Sequence, residues 1–455
     1  MTGKWHLGVA VDEMPHMHGF QRSYSLAASG ADNYEDKSYM PYYADAPWWE
    51  DGKEVALPED FYSSEFIVDK MIEYLGETDA TQPFFAYLPF QAIHIPVQAP
   101  AEFIANYDGV YDEGWHVLRQ QRYETAQELG LIAQDAPLAP MPADARDWSS
   151  LNDQERALYV AMMEANAGML EAMDFHIGRF IEHLKAEGQF ENSIFIVASD
   201  NGPEFNRGDD DERILFWQSL NGYDIDPENA GGRGSWGFIG PEWANAAASP
   251  GALYKFYATE GGIRSPLIVS GPGIAPSKID SPAMVSDIAP TLIDWIGVPN
   301  PPDEAKPMTG RSLLPVLRGE VDSVYAPDDV RAIEVSGNSA LYKGDYKITR
   351  SMPPAGDAQW RLFNMAIDPG ETQDLRAAAP DVLADLLAEF DAYSARVGVL
   401  EMPEGYHSLE AILANTTPRL INQYKWYLLG IGIAILLLLY GVYRIVRNVL
   451  RRVVS

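Results

Sequence analysis

Short apolar runs alternate with longer stretches of helical spacing over the first two thirds of this chain, a pattern that predicts interleaved strands and helices. The predicted elements are, in chain order, a helix over 60–76, a strand at Phe84–Leu88, a long helix from Asp153 to near Gly188, strands at Ile194–Ala198 and Leu267–Ser270, and a short helix near 287–296. Residues 101–150 are expected to be an irregular surface excursion, and 205–250 an acidic insertion. This alternation indicates an α/β fold with a mainly parallel sheet between helices.

The pattern changes after Pro302 and predicts a smaller α+β subdomain. Ala332–Val335, Leu341–Tyr342 and Tyr346–Thr349 are expected to be short antiparallel strands, with a helix over Pro380–Val397 packed on them. The predicted divisions are a main domain over 1–318, the α+β subdomain over 319–400, a linker over 401–425, a membrane helix over 426–443 and a basic tail over 444–455.

One uncharged, largely apolar run, Trp426–Tyr443, has aromatic residues at both ends and the length of a short transmembrane helix. The alternative is a buried core helix, but four arginines and the chain end follow this run. An arginine-rich tail predicts a single C-terminal span of the cytoplasmic membrane, with the C-terminus in the cytoplasm and the body outside it. Residues 1–30 show no export signal. We therefore expect the sequence to be the C-terminal part of a longer protein.

The formal net charge of −33 changes the picture of possible partners. A surface this acidic repels nucleic acid, so a nucleic-acid partner is not expected. The charge suits a saline exterior, where salt screens the self-repulsion. A solvated surface kept soluble by its charge explains the same composition without naming a partner, and the oligomeric state is left open.

Two oxygen-bearing residues, Asp200 and Asn201, directly follow the predicted strand Ile194–Ala198. The carboxyl edge of a parallel sheet is where α/β proteins bind ligands, and carboxylate and amide oxygens suit Ca²⁺ or Mg²⁺. They are therefore candidate metal ligands. An ordinary Asp-Asn-Gly turn is the alternative.

Four basic side chains are candidates for binding an oxyanion. Lys4 and His6 occupy alternate positions, so both point to one face of an extended segment, where a cation and an imidazole suit a tetrahedral oxyanion. His94 follows the strand at 84–88, and Lys255 precedes a loop with two glycines. Taken singly, His94 is more often a hydrogen-bonded core residue, and plain surface residues are the alternative for the other three.

The motifs become specific through their order along the chain. They are Gly3-Lys-Trp-His-Leu-Gly8, His94-Ile-Pro96, Ser199-Asp-Asn-Gly-Pro-Glu204, Lys255 followed by Glu260-Gly-Gly-Ile-Arg-Ser-Pro266, Asp287-Ile-Ala-Pro-Thr-Leu292, Trp360-Arg-Leu-Phe-Asn364 and Asp368-Pro-Gly-Glu371. This series resembles the type I sulfatases of the alkaline-phosphatase superfamily over roughly residues 1–395. The resemblance implies an alkaline-phosphatase-like fold and hydrolysis of sulfate esters, arylsulfates or sulfated glycans among them.

The resemblance also implies roles for the candidate residues. Lys4 and His6 would bracket a catalytic formylglycine, and His94 and Lys255 would bind the sulfate oxygens, one of them acting as proton donor. Asp200 and Asn201 would be two ligands of a divalent cation, usually Ca²⁺.

The sequence departs from the family pattern at the nucleophile. It has no cysteine, and it lacks both the paired N-terminal aspartates and the Cys/Ser-x-Pro-x-Arg segment that is converted to formylglycine. The partial match Ser351-Met-Pro353 has Ala355 where arginine is required. We therefore expect the formylglycine upstream of this sequence and no turnover by the chain as given. Two alternatives keep the fold: a phosphonate or phosphate monoester hydrolase, and a non-catalytic protein that binds sulfated glycans.

Overall fold

The computed structural model describes residues 1–79, 81–299 and 307–454, except for the side chains of residues 409, 449 and 451–454. The strands are β1 (Thr2–Lys4), β2 (Tyr24–Leu26), β3 (Trp48–Glu50), β4 (Lys53–Val55), β5 (Phe195–Ala198), β6 (Leu267–Ser270), β7 (Arg331–Val335), β8 (Asn338–Lys343), β9 (Tyr346–Arg350) and β10 (Trp360–Asn364). The helices are α1 (Ser63–Gly76), α2 (Ala101–Ile104), α3 (Trp115–Glu128), α4 (Asp153–Ala186), α5 (Glu212–Leu220), α6 (Gly240–Ala247), α7 (Glu260–Ile263), α8 (Ile288–Ile296), α9 (Leu314–Leu317), α10 (Pro380–Val397) and α11 (Ser408–Val454).

Strand pairing in the main domain is mixed. β1 is parallel to β2, whereas β2, β3 and β4 are antiparallel, as are β5 and β6. The α/β class is confirmed, but the expectation of a mainly parallel sheet is not met by these pairs. A short apolar strand has the same sequence pattern in both kinds of pair, so only the path of the chain decides its direction.

The predicted strand at Phe84–Leu88 is an extended segment bonded to β1. The backbone N–H groups of Thr2 and Lys4 donate to the carbonyls of Tyr87 and Pro89, at 3.0 and 2.8 Å. Because the residue numbers increase in the same direction on both sides of this pairing, the segment runs parallel to β1. It contributes Ala86, Leu88 and Phe90 to a small core against α1 and α4.

The main hydrophobic core includes residues of the predicted surface excursion over 101–150 and of the predicted acidic insertion over 205–250. Trp115 of α3 and Trp243 of α6 are fully buried, with ring centroids 5.7 Å apart, and both belong to the core around α4. The expectation that residues 101–150 are irregular is therefore wrong. α3 has no apolar stripe that marks it as a helix. Its inward face instead carries Arg119, which donates to the carbonyls of Asn245 and Ala139 at 2.5 and 2.8 Å.

The C-terminal subdomain contains the three predicted strands and a fourth, β10, that was not predicted. β7, β8, β9 and β10 form a four-stranded antiparallel sheet in that order, and α10 packs its buried Leu386 and Phe390 against it. The subdomain lies against the main domain through the segment around Glu260, which bears on the site described below.

Helix α11 is continuous from Ser408, inside the predicted linker, to Val454. By length and composition, the part of this helix from Glu410 to Asn448 is long and apolar enough to cross a membrane. The first part of the helix contacts the main domain, since the Arg419 guanidinium lies 3.9 Å from the Tyr42 ring centroid and Tyr424 packs on the main core. Residue 455, the end of the predicted basic tail, lies outside the described residues.

Candidate active site

Lys4 is the last residue of β1 and is held there by backbone bonding on both sides. β2 pairs with one edge of β1 and the segment at 84–89 with the other. Gly3 has a φ of +126°, and a Cβ at this position would lie 2.3 Å from the Pro89 carbonyl oxygen. Only glycine allows this close approach, which is the physical reason for a glycine before Lys4. His6 follows two residues later with a φ of 54°, so the chain turns away from the strand there.

His94 lies at the end of the extended segment and is held by its own backbone and by Tyr39. Its Nδ1 is 2.8 Å from the Ile95 carbonyl oxygen, and the Tyr39 ring meets the imidazole edge to face at 5.2 Å. An Nδ1 that donates to a carbonyl leaves Nε2 as the acceptor of the neutral ring. Nε2 lies 3.9 Å from Glu204 Oε2.

Glu204 is the site residue that sequence reasoning did not single out. Its buried carboxylate accepts a hydrogen bond from Lys255 Nζ at 2.7 Å. Burial by itself raises the pKa of this carboxyl, but the charge and hydrogen bond of Lys255 outweigh it, so the pKa of Glu204 falls below its ordinary value. Its place at the end of the Ser199–Glu204 motif was the available signal.

The turn after β5 and the loop that carries Lys255 are joined through their backbones. The Lys255 N–H donates to the Pro203 carbonyl at 3.1 Å, and the Gly202 N–H donates to the Gly262 carbonyl at 2.8 Å. A Cβ on Gly202 would lie 2.0 Å from the Gly261 carbonyl oxygen. The Asp200–Asn201 turn and Lys255 are therefore held in one arrangement.

The oxygens of Asp200 and Asn201 do not by themselves make a cation site. The Asn201 amide donates to the Gly202 carbonyl at 2.9 Å, which leaves its Oδ1 as a possible ligand. Within residues 1–79, 81–299 and 307–454, no group of three or more histidine and acidic side chains is placed to hold a metal ion. A calcium ion takes six to eight oxygens, so these two residues supply only part of a coordination sphere.

Electrostatics bring the predicted basic residues into one cluster. Burial and then the charge of Lys255 lower the pKa of Lys4 to about 8, while Asp200 and Glu204 oppose this. Burial, followed by the charges of Lys255 and Lys4, also lowers the pKa of His94.

The exposed His6 belongs to the same cluster, since partial desolvation and then Lys4 and Lys255 lower its pKa. Besides burial, the charge of Lys255 lowers the pKa of Lys4, His6 and His94, so an incoming anion would stabilise the positive charge of this site.

A family model described as Sulfatase matches residues 1–298. The chain belongs to the sulfatase family. It is 33% identical over 429 residues to an uncharacterized sulfatase of Schizosaccharomyces pombe, covering 89% of this chain and 76% of that protein. It is 34% identical over 329 residues to the arylsulfatase of Klebsiella aerogenes, covering 70% and 68% of the two chains.

Solved structures agree on the fold of this sulfatase. The crystal structure of Ps i-CgsB in complex with k-i-k-neocarrahexaose matches with a TM-score of 0.59 and 19% identity, over 93% of this chain and 76% of that one. The family prediction made from the ordered motifs is thus confirmed. Sulfatases generally use a metal ion and a formylglycine, and the printed sequence contains no cysteine from which the latter could form.

Proposed function

We propose that this protein is a sulfuric ester hydrolase, in which water converts R–O–SO₃⁻ to R–OH, SO₄²⁻ and H⁺. The observation that carries the proposal is that Lys255 Nζ and His94 Nε2 both face Glu204, at 2.7 and 3.9 Å, at the end of the turn that holds Asp200. The charge of Lys255 also acts on Lys4 and His6. A tetrahedral anion presents oxygens in several directions, and this cluster offers donors from three separate segments of the chain.

In this proposal His94 and Lys255 bind the sulfate oxygens and favour departure of the alcohol. Lys255 is bound to Glu204 at 2.7 Å, so an entering sulfate competes with that carboxylate for the ammonium group. The negative charge of the sulfate raises the pKa of the neutral His94 above its lowered value, which allows His94 or Lys255 to give a proton to the leaving oxygen. Lys4 and His6 would flank the nucleophile.

The proposed reaction also requires a nucleophile and a metal ion. We propose Asp200 and Asn201 as two ligands of a divalent cation, calcium in the first place. The sequence has neither the family's paired N-terminal aspartates nor its Cys/Ser-x-Pro-x-Arg segment for the formylglycine. We therefore expect the 455-residue chain alone to bind sulfate without turning over a sulfate ester.

The proposed setting is the outer face of the cytoplasmic membrane. α11 supplies a single span, its arginine-rich end lies in the cytoplasm, and the acidic main domain faces the periplasm or exterior. Arylsulfates or sulfated polysaccharides are the proposed substrates. The arylsulfatase of Klebsiella aerogenes supports the first class. The k-i-k-neocarrahexaose bound by Ps i-CgsB and the D-glucosamine-2-N,6-O-disulfate bound by BT4656 support the second.

The test uses paired substrates. Hydrolysis of 4-nitrophenyl sulfate and 4-nitrophenyl phosphate is measured with Ca²⁺, for the 455-residue chain and for the product of the complete coding region, including any in-frame residues upstream of Met1. We expect sulfate turnover only by the latter. Preference for the phosphate ester would replace the proposal with phosphate or phosphonate hydrolysis, and sulfate binding without turnover by both would indicate a binding protein.

A further inference from the structure

A lysine without solvent exposure lies beneath the loop that carries Lys255. Lys347 Nζ on β9 is 2.9 Å from Glu260 Oε1 and 2.8 Å from Glu371 Oε1. The lysine side chain is 0% exposed, and those of the two glutamates are 7% and 2% exposed. The Tyr342 hydroxyl also donates to Glu260. A lysine is almost never fully buried unless it is paired with an acid. The two ion pairs therefore fix the positions of Lys347, Glu260 and Glu371.

This ion cluster joins the two domains. Glu260 belongs to the main domain, whereas Lys347 and Glu371 belong to the C-terminal subdomain. Glu371 Oε2 also accepts a hydrogen bond from the backbone N–H of Glu260 at 2.8 Å. The turn that presents Glu371 is closed by Asp368, whose carboxylate accepts from the next turn's backbone N–H groups. The Asp368-Pro-Gly-Glu371 motif thus ends in a contact to Glu260.

Glu260 is connected to Lys255 by close backbone packing. A Cβ on Gly261 would lie 2.1 Å from the Leu253 carbonyl oxygen, and a Cβ on Gly262 would lie 2.1 Å from the Tyr257 carbonyl oxygen. These two carbonyls flank Lys255 in sequence. The glycines therefore leave no space between the segment anchored by Glu260 and the segment that carries the site lysine.

A second contact from the C-terminal subdomain acts on the residue after Lys255. The Asn338 side-chain amide donates to the Phe256 carbonyl at 2.9 Å. Phe256 has a φ of 77°, a left-handed conformation that is unfavourable for an aromatic residue. Such a conformation persists only where surrounding contacts determine it.

We propose that Lys347 is a positioning residue of the site: its two ion pairs hold Glu260 so that the glycine pair directs Lys255 toward Glu204 and the sulfate position. The importance of this for sulfate rests on the proposed function, whereas the loop conformation does not. Lys347 and Arg264, which is 3.7 Å from Glu260, balance the two carboxylates in charge. Without the lysine, two buried carboxylates face each other, and the Glu260 segment has to move.

The chain contains a matched control for this experiment. Lys343 on β8 also lies between two carboxylates, Asp385 and Glu389, at 2.9 Å each, but these are on α10, away from the Lys255 loop. The full 455-residue chain in detergent micelles is compared with its Lys347→Met, Glu260→Gln and Lys343→Met variants. Hydrogen–deuterium exchange of residues 251–264 reports the loop, and calorimetric titration with inorganic sulfate reports the site.

We expect Lys347→Met and Glu260→Gln each to speed exchange in the loop and to weaken sulfate binding about tenfold, whereas Lys343→Met changes either by less than about twofold. The double variant Lys347→Met/Glu371→Gln should recover part of the loop's protection from exchange and part of the sulfate affinity. The glutamine removes the repulsion between the two carboxylates and offers an amide donor to Glu260.

Unchanged hydrogen exchange of the loop in both Lys347→Met and Glu260→Gln would overturn the inference. It would also be overturned if Lys347→Met loses sulfate binding and loop protection and the double variant recovers neither. That result would indicate that only packing was lost. If Lys347→Met fails to fold, as judged by circular dichroism, Glu260→Gln decides, since it keeps the volume of the side chain. Absence of sulfate binding by the unsubstituted protein would count against the proposed function, while the exchange data would still test the loop.

Discussion

Lys255 Nζ donates to Glu204 Oε2 over 2.7 Å, and the same carboxylate oxygen lies 3.9 Å from His94 Nε2. One buried acid therefore faces both residues proposed to bind sulfate. In the absence of a bound anion, Glu204 offsets the positive charge of the cluster. A bound sulfate has to displace Glu204 from Lys255.

Replacing this acid with its amide should separate its two effects. In Glu204→Gln the pKa of His94 should fall further, because the negative charge that opposes the lowering is gone. Sulfate should bind several-fold more tightly, since it no longer competes with a carboxylate. NMR titration of His94 and calorimetry with sulfate provide the measurement. Glu35→Gln, which alters an acid paired with Lys37 elsewhere, is the control. A raised pKa of His94 would contradict this account.

Sulfate binding should weaken as the pH rises above about 8, where Lys4 loses its proton in the folded protein. The Lys4→Met variant should bind sulfate more weakly at neutral pH and lose this dependence. Calorimetry at pH 7 to 9 measures both, and the same pH dependence in the variant would exclude Lys4 as its source.

The shift of Lys4 also predicts a sign for stability. Because the pKa of Lys4 is about 8 when folded and 10.5 otherwise, the unfolded chain binds more protons between these values. The contribution of Lys4 to the free energy of unfolding therefore becomes more favourable as the pH rises across that window. Comparing urea unfolding of the unsubstituted chain and Lys4→Met at pH 8 and 10 isolates this contribution. A difference that moves the other way would show that the charged form of Lys4 is favoured by folding.

Calcium should bind this chain only weakly. Asp200 and Asn201 would supply only two ligands to an ion that takes six to eight, so we expect a dissociation constant of about 1 mM or above. Asp200→Asn should remove what binding there is, and Asp210→Asn, in a separate acidic run, should not. Calorimetry with Ca²⁺ decides this, and micromolar binding that survives Asp200→Asn would place the cation elsewhere.

The contact between Arg419 and Tyr42 predicts that the start of α11 is held against the main domain. Arg419→Ala should increase hydrogen exchange of residues 408–425 in detergent micelles, because a cation–π contact of about 0.5–1 kcal/mol at an exposed site is lost. Arg396→Ala removes a similar contact with Tyr393 inside α10 and serves as the control. Equal exchange in both variants would mean that this contact does not hold the helix.

Local pattern was sufficient for the elements with strong periodicity. α4 begins at Asp153 as expected, and β6 and α10 have the predicted bounds, because an apolar stripe or run identifies the face that is buried. α3 was not predicted, because its inward face has Arg119 bonded to backbone carbonyls instead of an apolar stripe.

The sequence by itself determined the family and supplied the candidate site residues, since ordered motifs carry Lys4, His6, His94, Asp200 and Lys255. The tertiary structure alone decided which charges meet. Glu204 meets Lys255 from 51 positions away, and Lys347 meets Glu260 from 87 positions away and Glu371 from 24. Periodicity reports only how each segment faces the core. Which buried cation meets which carboxylate depends on the path of the whole chain, and burial then makes each pairing obligatory.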